Sequence, residues 1–273
     1  MKGLLSACAL ALITLACHQN GSTPGGPPHD AAPTAPGGLG SATVTNPAWP
    51  GEPAGFHALS DRAWTSLQGD GWNRRPSSAD RIVTDPTAPM APTTVLEYVY
   101  PTGFPGGTAP ATQYFALGHR KELYAGLFWK VSDPWQGHVT GVNKVQFLYG
   151  EAAADVAMVM YGRPGGPYDL RVLPQWREHD GTWLTPNVAN VAPTLGQWHR
   201  IEWYLKYEST AGAGDGVIKW GLDGVLLGDY RNVRFPPNAG FVEYQISPTW
   251  GGVGDVKRES DFYRFNHSYI SAP

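Results

Sequence analysis

The chain reads as an all-β protein, a jelly-roll sandwich of two antiparallel sheets behind a leader and a linker. Three observations predict this. Short runs rich in β-branched and aromatic residues recur, each bounded by Gly, Pro, Asn or Asp. No segment keeps a 3.6-residue apolar period. Gly and Pro supply 34 and 25 of the 273 residues, a turn-rich composition at odds with a helical protein.

The first element is an export signal. Met1-Lys2-Gly3 is a short basic start, and Leu4 to Ala16 follows as an uncharged, mostly apolar run. That run is too short to span a bilayer and suits a signal-peptide core. Ile13-Thr14-Leu15-Ala16-Cys17 resembles the lipobox of bacterial lipoproteins, with Thr14 and Leu15 departing from its usual pattern. Leu5-Ser6-Ala7-Cys8 fits the box better but leaves almost no apolar core before it. Residues 1–16 are therefore expected as a signal peptide and Cys17 as the lipidated residue. An ordinary cleaved signal is the alternative.

The second element, residues 17–55, is expected to be a tether. Positions 18–50 hold seven Pro and six Gly and no apolar period. Such a segment buries too little surface to offset its ordering entropy. A chain beginning near Gly55 is expected to keep the stability of the longer one.

The third element, residues 56–273, is expected to be one β domain. Its clearest strands are Thr93–Tyr100, Leu123–Val131, Val142–Tyr149, Asp155–Tyr161, Asp169–Arg177, Trp198–Glu208, Gly216–Asp223, Gly240–Ile246 and Asp261–Ser271. Asp223-Gly224 sits between two apolar runs as a hairpin turn, because both residues tolerate positive φ.

A resemblance enters with these residues. Gly196-Gln197-Trp198-His199-Arg200-Ile201-Glu202, a polar Gly-rich loop, Gly216-Val217-Ile218-Lys219-Trp220 and then Asp223-Gly224 are similar to a pattern of the concanavalin A-like jelly rolls. Those include laminin-G-like domains and heparin-lyase-like polysaccharide lyases. Asp223-Gly224 falls one residue later than the usual spacing. Thr249-Trp250-Gly251-Gly252 and Asn266-His267-Ser268-Tyr269-Ile270-Ser271 resemble the end of such a domain. The resemblance covers most of residues 80–271 and is more specific for fold than for activity.

Composition narrows the chemistry. The formal charge is −3, so no basic excess serves nucleic acid. Two Cys, both in the first 17 residues, exclude a disulfide framework or zinc ribbon. There is no G-x-S-x-G, no H-E-x-x-H and no phosphate loop. A retaining glucanase of this fold would need acids alternating along one strand, and no strand has them. No cofactor and no metal-ligand set is expected; a structural calcium ion stays open.

What remains is recognition of a polysaccharide, or its cleavage by β-elimination. The lyase reaction needs a group that neutralises a uronate carboxylate and a base and acid around the sugar ring. With period 2 along Val142–Tyr149, Lys144 and Gln146 share one face, opposite Asn143, Val145, Phe147 and Tyr149. Lys144, Gln146, Tyr161 and Arg171 form the catalytic set if the chain is a lyase. The lyase signatures themselves, a Q-(I/V)-H strand and a Y-F-K-x-G-x-Y strand, are absent. The alternative is a solvated strand face with no ligand.

Sugars stack their apolar faces on aromatic rings. Trp135 and His138 lie in a loop, and Trp176 and Trp183 flank the polar stretch 177–181. Together with Lys130, Lys144 and Gln146 they make the expected glycan-binding set. Trp198, Trp203 and Trp220 are expected in the core. The sequence thus predicts an exported, membrane-anchored envelope lipoprotein of the outer membrane or cell surface. Its sandwich binds a polysaccharide, with a uronate-specific lyase as the alternative.

Overall fold

A computed structural model describes residues 46–176, 183–237 and 240–273. The expected signal peptide, Cys17 and the linker up to residue 45 lie outside the described residues. Among the described residues there is no α-helix. The strands in chain order are β1 (His57–Ala63), β2 (Trp72–Arg75), β3 (Asp80–Thr84), β4 (Thr94–Tyr100), β5 (Thr112–Arg120), β6 (Glu122–Val131) and β7 (Val142–Gly150). They continue with β8 (Val156–Tyr161), β9 (Asp169–Pro174), β10 (Trp198–Lys206), β11 (Gly216–Leu222), β12 (Val225–Val233), β13 (Phe241–Ile246) and β14 (Asp261–Ala272).

Two antiparallel sheets make a concanavalin A-like jelly-roll sandwich. The eight-stranded sheet runs β12-β11-β10-β6-β14-β4-β3, and β1 pairs with the second half of β14. The six-stranded sheet runs β2-β5-β13-β7-β8-β9. Alternation decides what each sheet buries. Along β6, Leu123, Ala125, Leu127, Trp129 and Val131 point into the core and are at most 1% exposed. Trp203 and Trp220 join them from β10 and β11, facing Leu148, Met158 and Tyr244 of the other sheet. Each such Trp hides on the order of 200 Å², worth about 5 kcal/mol. Trp203 and Trp220 are therefore core, as expected, whereas Trp198 is half-buried on the outer face and donates to Thr87.

The hairpin joining β11 and β12 turns at Asp223 (φ 53°) and Gly224 (φ 84°), two left-handed positions in succession, as the sequence predicts. Five strands fall outside the expected runs: β1, β2, β3, β5 and β12.

The domain limit at residue 56 is corrected. Residues 46–55 do not hang free: Trp49 is 1% exposed, stacked on Tyr269 at 5.6 Å and against Phe128 at 5.1 Å. The segment straps the outer face of the eight-stranded sheet. Gly51 N–H donates to Glu202 (2.8 Å) and Tyr269 donates to Glu52 (2.7 Å). A β-carbon at Gly126, mid-way along β6, would overlap the Trp49 ring, so a glycine there makes room for the strap. One buried Trp outweighs the local Pro/Gly composition, which speaks only to the unfolded side of the balance.

Candidate functional site

The outer face of the six-stranded sheet is built around β7, and β7 does not keep period 2. A bulge at Val145 separates the pairs Lys144↔Val159 and Gln146↔Met158. Asn143, buried at its start, spends its amide on the carbonyls of Gly141, Met160 and Gly162 at 3.1–3.2 Å. Lys144 N–H turns away from β8 to Thr249 (2.9 Å). The extra residue sends Val145 into the core and reverses the alternation after it.

Lys144 and Gln146 therefore lie on opposite faces, a correction to the shared face expected from period 2. Gln146 is 0% exposed and points inward, where it accepts the hydroxyl hydrogen bond of Tyr244. It cannot meet a ligand on the outer surface. Phe147 and Tyr149, expected opposite Lys144, stand on its side. The Lys144 ammonium lies 5.1 Å from the Phe147 ring, and Phe147 stacks on Tyr149 at 5.5 Å.

Strand pairing fixes what surrounds them. Lys144, Val159 and Arg171 form one row across β7, β8 and β9. A second row crosses all six strands: Asn73, Tyr114, Gln245, Phe147, Ala157 and Leu173. Ala157 and Val159 form a small-residue floor between larger neighbours. On the β8–β9 side, Arg171 lies 3.8 Å over Tyr161, which meets Trp183 edge-on at 5.4 Å. On the β2–β5 side, Arg75 lies 5.8 Å from the Tyr114 ring.

The charges differ in how they are satisfied. Arg171 is held by Asp169 through two bonds of 2.8 Å. Lys144 and Arg75 have no carboxylate within ion-pair distance among the described residues. Burial pushes the Lys144 ammonium below the usual lysine range, against the opposing charge of Asp155. The Tyr149 phenol is pushed up, chiefly by burial and then by Asp155 and Glu243, with Arg75 pulling the other way.

Of the expected site residues, the structure brings Lys144, Tyr161, Arg171 and Trp183 onto this face. The others are elsewhere. Lys130 is on β6 in the opposite sheet, ion-paired with Asp85 at 3.1 Å. A loop that crosses between sheets separates β6 from β7, so neighbours in sequence are not neighbours in a sheet. Trp135 is no stacking platform: at 4% exposed it packs on Tyr263 (4.5 Å) with the Lys257 ammonium 3.5 Å from its ring. His138 is 0% exposed against Trp250 (4.9 Å), in a space that a β-carbon at Gly251 would fill. Trp176 is in the core against Phe235 at 5.0 Å. These four rings or cations each found a protein partner before any ligand. The polar stretch 177–181 lies outside the described residues.

Sequence reasoning missed Tyr149, Phe147, Arg75 and Tyr114. The first two needed the bulge. The last two lie on β2 and β5, whose runs (WNRR and TQYFALGHR) carry too much charge and polarity to stand out.

A search of family models and a search of curated proteins each found no match. Solved structures do match in fold. An alginate lyase, vAL-1, from a Chlorella virus is similar with a TM-score of 0.55 at 12% identity, covering 80% of this chain and 100% of that one. The alginate lyase Aly36B, as a mutant in complex with an alginate trisaccharide, gives 0.52 at 12% identity, covering 64% and 80%. An endo-β-1,4-glucuronan lyase from the fungus Trichoderma reesei gives 0.51 at 14% identity, covering 80% and 96%. At such identities the likeness is one of fold.

Proposed function

We propose that the chain binds an anionic polysaccharide across the outer face of the six-stranded sheet. The observation that carries this is a cation among rings with no carboxylate in ion-pair distance among the described residues: Lys144 beside Phe147 and Tyr149. Rings offer a surface for the apolar side of a sugar, and an unpaired cation offers a partner for its carboxylate. The solved structures of similar fold named above include uronate-polymer lyases, which supports the same substrate class. Membrane anchoring through Cys17 belongs to this proposal as the sequence argued it. The protein would then present its sheet to a polymer at the cell envelope.

The test is affinity electrophoresis against a panel of polymers. Retention by polyuronates and loss of retention in their carboxyl-reduced forms is the expected result. Equal retention by neutral glucans would remove the role of the cations.

A second reading, β-elimination, is favoured by one observation: a lysine pushed toward neutrality shares a strand face with a tyrosine that holds its proton. The neutral Lys144 amine would take the C5 proton of a uronate, and the carboxylate would share the resulting charge. The C4–O bond would then break, and Tyr149 would return a proton to the departing oxygen. The products are a C4=C5 unsaturated uronate and a new reducing end. Near-ultraviolet absorbance of the unsaturated product separates the readings. A Tyr149→Phe protein that binds but forms none, beside a parent that does, supports the lyase; a parent that binds and forms none leaves recognition alone.

A further inference from the structure

The six strands of the binding face span five gaps of about 4.8 Å, so the face is about 24 Å wide. A pyranose unit is about one such gap long, so a polymer crossing the strands covers about five units. Lys144 is on β7, the fourth strand counted from the β2 edge in the order β2-β5-β13-β7. A ligand held only there would leave half the face unused.

The unused half is not bland. Asn73 and Tyr114 belong to the row that also contains Gln245 and Phe147, so all four point outward at one level. Arg75 stands on the same face of β2, two residues from Asn73. It is exposed, and among the described residues it makes a ring contact with Tyr114 but no ion pair or hydrogen bond. Its neighbour Arg74 points the other way and is held by Asp80 at 2.7 Å. Arg264, Arg81, Arg200 and Arg231 likewise all meet carboxylates. An arginine placed on a ring without a carboxylate is arranged like Lys144 on Phe147, three strands away from it across β5 and β13.

We propose that Arg75 and Tyr114 form a second, distal subsite for the same anionic polysaccharide, so that recognition depends on chain length. The inference rests on the proposed function. A sugar stacks on Tyr114, and its carboxylate meets the Arg75 guanidinium, whose planar fork suits a bidentate contact. A short oligomer occupies the Lys144 half alone. An oligomer of about five units reaches both halves, and the second contact is made at high effective concentration because it is tethered to the first.

The experiment is a calorimetric titration of the protein with size-fractionated oligouronates from two to six units. Variants are Arg75→Ala, Tyr114→Ala and, as a central control, Lys144→Ala. The parent is expected to bind hexamers at least tenfold more tightly than dimers. Arg75→Ala and Tyr114→Ala should each remove most of that gain and leave dimer affinity within twofold, while Lys144→Ala weakens every length. Parent-like length dependence in both distal variants overturns the subsite while leaving the proposed function standing. A parent that binds no length overturns the proposed function and the subsite with it. Far-ultraviolet circular dichroism identifies a misfolded variant, and Arg75→Lys, which keeps the charge but not the fork, is then expected to recover only part of the gain.

Discussion

The two outer faces of the sandwich are made by the same alternation and end in opposite states. On the eight-stranded sheet, Trp198, Lys130, Arg264, Glu97 and Arg81 form one row across five strands. Lys130 and Arg264 both meet Asp85, Arg264 also meets Glu97, and Arg81 meets Glu97 at 2.5 Å. Hydrogen bonds from the Thr87 hydroxyl and N–H, then those from Lys130 and Arg264, hold the Asp85 carboxyl down to about 2 against the desolvation that would raise it. Beside that row the Trp49 strap covers Tyr124, Phe128 and Tyr269. On the six-stranded sheet, rings and cations stand side by side; among the described residues there is no strap, and Lys144 and Arg75 have no carboxylate within ion-pair distance. The lesson is that exposure of charge says little and pairing of charge says more. A face whose ions satisfy one another is finished, and a face with unpaired cations among rings is open to an anionic partner.

The strap provides the largest test of this contrast. Trp49→Ala should cost about 3 kcal/mol in chemical denaturation, as for other buried Trp truncations. A chain beginning at residue 56 should lose a similar amount. A loss below about 1 kcal/mol would mean that the eight-stranded face stands without its cover.

Next in size is the buried cation that is paired, Lys257. Its ammonium sits among Trp135, Trp250 and Tyr100 and donates to Asp261 and to Gln136 O. Burial pulls its pKa from 10.5 down to about 8. Between those values the unfolded chain holds a proton that the folded one has released, so stability rises with pH across the window, by about 3 kcal/mol at its top. Buried tyrosines with raised pKa values act in the opposite sense once unfolded tyrosines ionise near pH 10. Denaturation at pH 7.5 to 9.5 should therefore show a rising slope in the parent that is clearly shallower in Lys257→Met. Identical slopes would remove the assignment.

The two lysines Lys144 and Lys130 put the faces in direct opposition. Lys144→Ala should weaken polyuronate binding about tenfold, or about 1.4 kcal/mol, with little effect on stability. Lys130→Ala should leave binding unchanged and cost about 1 kcal/mol of stability by taking one partner from buried Asp85. Binding should also fall as pH rises through the lowered Lys144 pKa, since the ammonium is lost there. Titration calorimetry from pH 7 to 10 reads this, and pH-independent binding would leave Lys144 out of the contact.

At Gln146 the expected effect is on stability alone. Gln146→Ala orphans the buried Tyr244 hydroxyl at about 1–2 kcal/mol of stability and should leave binding as in the parent. Weakened binding at unchanged stability would return Gln146 to the outer face.

Much of the architecture was legible in the sequence, because nine strands combine apolar alternation with turn residues at their ends. β2 and β3 were not: Arg74, Arg75, Asp80 and Arg81 give these strands polar patterns, and only their neighbours in the sheet supply the pairing that makes them strands. The site was legible in its residue types and partly in its place. Lys144, Tyr161, Arg171 and Trp183 do converge. Gln146 failed because a single bulge reverses side-chain direction, and no local propensity marks Val145 as its position. Trp135 and His138 failed because an aromatic in a loop is read as exposed, yet here loops 132–138 and 249–257 pack on each other around Lys257, and Trp176 turns into the core against Phe235. The strap failed because one Trp in a Pro/Gly stretch is easily averaged away.

The central claim concerns which face meets the polymer. Amide chemical shifts of the isotope-labelled protein, followed during titration with a polyuronate hexamer, test it most directly. The account predicts saturable shifts on the outer face of the six-stranded sheet, around Lys144, Phe147, Tyr149, Val159 and Arg75. Residues around Asp85, Lys130 and Arg264 should stay unmoved. Shifts concentrated on the eight-stranded face, or no saturable shift at all, would contradict it.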